Sequence, residues 1–96
     1  MDRFENMNTF ISVVEAGGIS AAATRMNIAK SVISRRLKEL EAHLGVELFH
    51  RTTRRMNLTD SGHTFYQQSV RILADLIEAE HATSRFHGAL KGNLKV

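Results

Sequence analysis

Residues 21–38 read AAATRMNIAKSVISRRLK, and few folds accommodate such a stretch. A short alanine-rich helical segment runs into a polar turn at Asn27–Ala29 and then into a second helical segment. Ile33, Leu37, Leu40 and Leu44 recur at i, i+4, i+7 and i+11, so they line one face of a 3.6-residue helix. Lys30, Ser31, Ser34, Arg35 and Lys38 fall on the opposite face, which carries small hydroxyls and long cations and no carboxylate. Solvated helix faces usually mix charge signs, so this one suggests an anionic partner. The layout fits a helix-turn-helix whose second helix enters a DNA major groove. The bland alternative is a two-helix hairpin with a solvated outer face.

Charge placement favours the first reading. Between Arg25 and Arg55 stand eight Lys/Arg and three acids, whereas residues 1–24 are net acidic and residues 56–96 are balanced. The whole basic excess therefore lies in the middle third, as expected of a nucleic-acid footprint. Ninety-six residues allow one domain with a modest core. The absence of cysteine removes disulfides and thiolate metal sites and suits a reducing cytoplasm. No apolar run is long enough for a membrane span or a signal peptide.

The flanking segments read as support for the motif. Asp2, with Glu5 three residues on, is a plausible helix cap. Phe4, Met7, Phe10, Ile11 and Val14 then form a core face, and Gly17-Gly18 ends the helix. Ile19, Ala22, Ala23 and Met26 form the buried side of the next helix, with alanines permitting close approach at the corner. Gly45 is the expected stop of the second motif helix. Residues 47–58 suggest two short strands joined by a basic tip, a wing whose Leu48, Phe49 and Leu58 should pack on the helices. Its tip would direct Arg51, Arg54 and Arg55 toward DNA backbone or minor groove.

Thr59 is placed to cap a final long helix, with Asp60 near its positive end. Phe65, Tyr66, Val70, Leu73, Leu76 and Ile77 give an apolar stripe too long for this domain to bury alone. A homodimer through Tyr66, Val70, Leu73, Leu76 and Ile77 is the simplest expectation. Residues 88–92 read as a flexible exit, and residues 93–96 as the beginning of a strand.

Taken together, the Ala22-Ala23 pair, Val32-Ile33-Ser34-Arg35, Leu40-Glu41, Leu44-Gly45, Leu48-Phe49, Arg51 and the Leu58-Thr59-x-x-Gly62 run resemble the N-terminal DNA-binding domain of LysR-type transcriptional regulators. The resemblance implies a mainly α fold. A winged helix-turn-helix of three helices and a two-stranded wing would occupy residues 1–58, and a long linker or dimerisation helix residues 59–87. Residues 88–96 would lead into a C-terminal effector-binding domain absent from this chain. It also implies double-stranded DNA as partner, a dimer or a full-length tetramer, and a small-molecule effector acting only through that domain; no cofactor is expected. Helix-capping positions that are often Ser or Thr in the family hold Gly18 and Ala29 here, and a common Gln is Lys30, which offers only donors and suits guanine or phosphate. Thr52-Thr53 stands where a glycine is frequent in the wing.

Because recognition helices approach base edges with their N-terminal residues, Lys30, Ser31, Ser34 and Arg35 form the expected base-reading set, with Lys38 on phosphate. Two other functions compete. One is a coiled-coil interaction module using the helix-turn-helix only as scaffold. The other is an enzyme, but the five histidines have no paired metal-ligand spacing and no glycine-rich phosphate loop exists.

Overall fold

The structure is a computed structural model; it describes the backbone of residues 2–50 and 56–95, and the side chains of residues 2–50 and 56–85. Four helices follow in order: α1 (Arg3–Ala16), α2 (Ile19–Met26), α3 (Lys30–Leu44) and α4 (Asp60–Lys95). Helix α1 is central and packs on α2, α3 and α4, while α2 packs on α3.

Local chemistry sets most boundaries. Asp2 Oδ1 accepts from the Glu5 amide at 3.0 Å, which satisfies an otherwise unpaired donor of the first turn of α1. Gly17 (φ 91°) and Gly45 (φ 74°) close α1 and α3 in the left-handed conformation that glycine adopts without steric cost. Asn27 closes α2 in the same way at φ 57°, and the Ile28 amide reaches back to the Ala23 carbonyl at 3.1 Å. Gly18 and Ala29 supply no side-chain cap, yet α3 still begins at Lys30. The Ala29 carbonyl accepts from the Val32 and Ile33 amides at 3.1 and 3.3 Å, so the helix closes on backbone alone.

The core is Phe10, Ile11, Val13, Ala22, Ala23, Ile33, Leu37, Leu40, Leu48 and Phe49. Two expectations are corrected. Phe4 is 52% exposed, because the inward face of α1 runs through Asn6, Thr9, Phe10 and Val13. Two of those inward positions are polar, which hid the face from a reading by hydrophobicity. Leu44 is also exposed, because Gly45 turns the chain away at the end of α3.

The wing reduces, among the described residues, to one antiparallel bridge between Phe49 and Leu58, beside a His50 amide to Asn57 carbonyl bond of 2.7 Å. Its expected tip, with Arg51, Arg54 and Arg55, lies outside the described residues. Leu48 and Phe49 are buried and Leu58 packs against the core, as the sequence suggested. Thr59 does double duty at the entry to α4. Its hydroxyl donates to the Glu47 carbonyl at 2.6 Å and accepts from the Gly62 amide at 2.9 Å.

Helix α4 overturns the expected exit at residues 88–92 and the strand start at residue 93, since it continues to Lys95. Gly88 and Gly92 each cost a helix about 1 kcal/mol relative to alanine, but no proline stands there to remove a backbone donor. The first turns of α4 lie on the body through Phe65, Tyr66 and Leu73, with Ser69 fully buried. The rest runs beyond it, and the longest dimension of the chain is 62 Å.

Candidate nucleic-acid interface

The fold sorts α3 into two faces. Ile33, Leu37 and Leu40 enter the core, and Glu41 is buried beside them. Lys30, Ser31, Arg35 and Lys38 are exposed, and Ser34 is half-buried at the margin of the outer face. Four of the five residues expected to meet DNA through α3 are thus gathered on an open surface. On the inner side, α2 packs on α3 and its Ala22 and Ala23 are buried. Among the described residues, none of these outer-face side chains forms an ion pair with a carboxylate.

Arg36 is different. It is adjacent to Arg35 in sequence, but its guanidinium turns inward, with Nη2 3.2 Å from Glu5 Oε1 and Nη1 donating to Thr9 Oγ1 at 3.2 Å. It therefore adds to the formal basic count of the middle third without adding to the outward cationic face. The sequence reading did not single it out, although its position between Ile33 and Leu37 places it at the edge of the core face.

Glu41 was also read only as part of the family pattern. Its Oε2 accepts from the Leu48 amide at 2.7 Å, which ties the buried end of α3 to the start of the wing. The signal was its spacing of four from Leu37, which puts a carboxylate on the inner face.

The α4 stripe divides. Phe65, Tyr66 and Leu73 pack against the chain's own core. Tyr66 stacks edge-on to Phe10 at 6.4 Å, and its hydroxyl donates to Glu15 Oε2 at 3.1 Å. Burial against the core, with the neighbouring carboxylate acting in the same direction, raises the phenol pKa above its ordinary value. Val70, Leu76 and Ile77 are exposed, and so is Ile72, which the sequence reading passed over. The side chains at Tyr66 and Leu73, expected at a dimer seam, are already occupied because α1 reaches the first turns of α4.

The family model described as "Bacterial regulatory helix-turn-helix protein, lysR family" matches residues 4–63, which span α1 to the first turn of α4. The chain belongs to the lysR family. An HTH-type transcriptional regulator of Xanthomonas campestris pv. campestris (strain 8004) is 41% identical over 90% of this chain and 25% of its own length. This chain spans about a quarter to a third of the length of the curated relatives it matches. Among solved structures, the complex of the BenM DBD with benA site 1 DNA superposes with a TM-score of 0.85 at 31% identity, covering 90% of this chain and 96% of that one. The CbnR DBD–DNA complex gives 0.77 at 40% identity, covering 88% and 95%. The fold is the winged helix-turn-helix of lysR-family DNA-binding domains, and its relatives are transcriptional regulators by name. No helix among the described residues is long and apolar enough to cross a membrane.

Proposed function

We propose that this lysR-family chain is the sequence-specific, double-stranded DNA-binding part of a cytoplasmic bacterial transcriptional regulator, and not an enzyme. The observation that carries the reading is the exposed row Lys30, Ser31, Arg35 and Lys38 on a helix whose other side is core. Helix α3 lies in the major groove. Lys30, Ser31 and Arg35 read base edges, with Ser34 close enough to the backbone to contact a base or a phosphate. Lys38 binds phosphate, and Arg51, Arg54 and Arg55 take the backbone or minor groove beside it.

In this reading residues 1–58 form the DNA-binding body and α4 couples two copies. Effector control belongs to a further domain of the full-length regulator. Arg35→Ala tests base reading. It leaves the fold intact and flattens base preference at one position of each half-site, by about 1–3 kcal/mol for a bidentate contact. A binding-site selection that returns the wild-type motif with uniformly lower affinity would move Arg35 to phosphate.

Two copies pair through the exposed part of α4, chiefly Val70, Ile72, Leu76 and Ile77. The double variant Leu76→Glu, Ile77→Glu should run as a folded monomer in sedimentation, because neither side chain belongs to the chain's own core. Dimers of undiminished stability in that variant would place the seam elsewhere.

A further inference from the structure

The contact between α1 and α3 combines two kinds of interaction. Phe10, Val13, Ile33 and Leu37 supply apolar burial, which is non-directional and tolerates small slides of one helix along another. Alongside runs a polar seam. Arg36 binds Glu5 and Thr9, and one turn further Asn6 Nδ2 donates to Glu39 Oε1 at 3.4 Å. Asn6 and Thr9 are almost wholly buried.

The α1 side of the clamp is preorganised. Thr9 Oγ1 gives its proton to the Glu5 carbonyl at 2.8 Å, so its lone pairs face the arginine. Glu5 is itself anchored through its amide to Asp2. The Arg36 side chain is 16% exposed and that of Glu5 49%, a setting in which an ion pair adds little net stability. Its contribution is direction. A planar guanidinium engaging the buried Thr9 hydroxyl and the Glu5 carboxylate together sets the rotation and axial position of the helix that bears it.

We propose that Arg36 is a positioning residue for DNA reading. By clamping α3 to Glu5 and Thr9 of α1, it sets the angle at which Ser31 and Arg35 meet the base edges, without itself touching DNA. This rests on the DNA-reading role of α3 proposed above.

The test is a binding-site selection with the 96-residue chain as wild type, Arg36→Met, Arg36→Lys and Glu5→Gln, followed by affinities for the selected duplex and its single-base variants over a salt series. A motif enriched by wild type is the condition for the DNA-reading role; its absence would overturn that role and the positioning role with it, whereas the variant outcomes below overturn the positioning role alone. Given a motif, Arg36→Met should lose about tenfold of the discrimination at the bases nearest Arg35. It should keep the wild-type slope of log affinity against log salt, because no phosphate contact is removed. Arg36→Lys should recover part of the discrimination through one of the two acceptors.

Unchanged discrimination with a uniform loss of affinity would overturn the proposal and leave Arg36 a stabilising residue only. A slope smaller by about 1 would overturn it in favour of a direct phosphate contact. Should Arg36→Met melt below the assay temperature, Glu5→Gln decides. That variant keeps the arginine and weakens only its carboxylate partner, and wild-type discrimination in it overturns the clamp.

Discussion

Gly62→Ala is expected to destabilise the chain by about 3 kcal/mol, although helix propensity alone assigns the change a gain of about 1 kcal/mol. The reason is where Gly62 sits. A Cβ there would meet the Leu48 carbonyl oxygen, with Leu58 Cδ2 at 2.9 Å and the Leu48 carbonyl carbon at 3.1 Å. The Leu48 carbonyl cannot withdraw freely, since it accepts from the Thr59 amide at 3.0 Å. The Leu48 amide is held in turn by Glu41, and its side chain is buried. A methyl at residue 62 therefore pushes α4 away from the start of the wing, against bonds on both sides. For a domain of this size the melting temperature should fall by roughly 15 °C. A thermal melt followed by circular dichroism at fixed protein concentration reads it. An unchanged or raised midpoint would mean that α4 enters the body less closely than described.

Phe10→Ala is expected to cost about 4 kcal/mol, a large share of the roughly 5–15 kcal/mol that stabilises a domain. Phe10 is fully buried, and its ring lies 5.5 Å from Phe49 and 5.4 Å from Phe65 between centroids. With Tyr66 it thus joins α1 to both the wing and α4. Truncation would leave a cavity where three elements meet, and the surrounding rings could close it only by moving α4. Phe4→Ala is the control. Its ring is half-exposed, so the change should stay within about 0.5 kcal/mol. Urea unfolding of the two variants reads the contrast. Equal losses would mean that the sequence-level reading of Phe4 as core is the better one.

These two positions also mark how far the sequence was legible. Helix limits were readable where a single residue type has one physical use: Asp2 and Thr59 as caps, Gly17 and Gly45 as left-handed stops. The core side of α3 was readable because Ile33, Leu37 and Leu40 keep strict helical spacing, and the open face opposite them follows from the same spacing. The α1 face was partly hidden. Asn6 and Thr9 point inward because partners on α3 satisfy them, and a hydropathy pattern carries no record of partners 27 and 33 residues away. Arg36 escaped for the same reason, since its charge counts toward a basic patch until its acceptors are known. Along α4 the stripe was legible but its division was not. Which of its residues meet α1 and which meet solvent depends on where the body ends, a tertiary fact. The helical backbone at Gly88 and Gly92 shows the opposite limit, since glycine lowers helix propensity without forbidding a helix.

Helix α3 is proposed to read duplex sequence through its exposed row. The most direct test is the affinity of the wild-type chain for its own selected duplex against a scrambled duplex of equal length and composition, at one physiological salt concentration. A preference of about a thousandfold or more is expected, on a site of two symmetric half-sites spaced by about one helical turn or a multiple of it. Equal affinity for the two duplexes would contradict it, leaving the basic face a non-specific electrostatic surface.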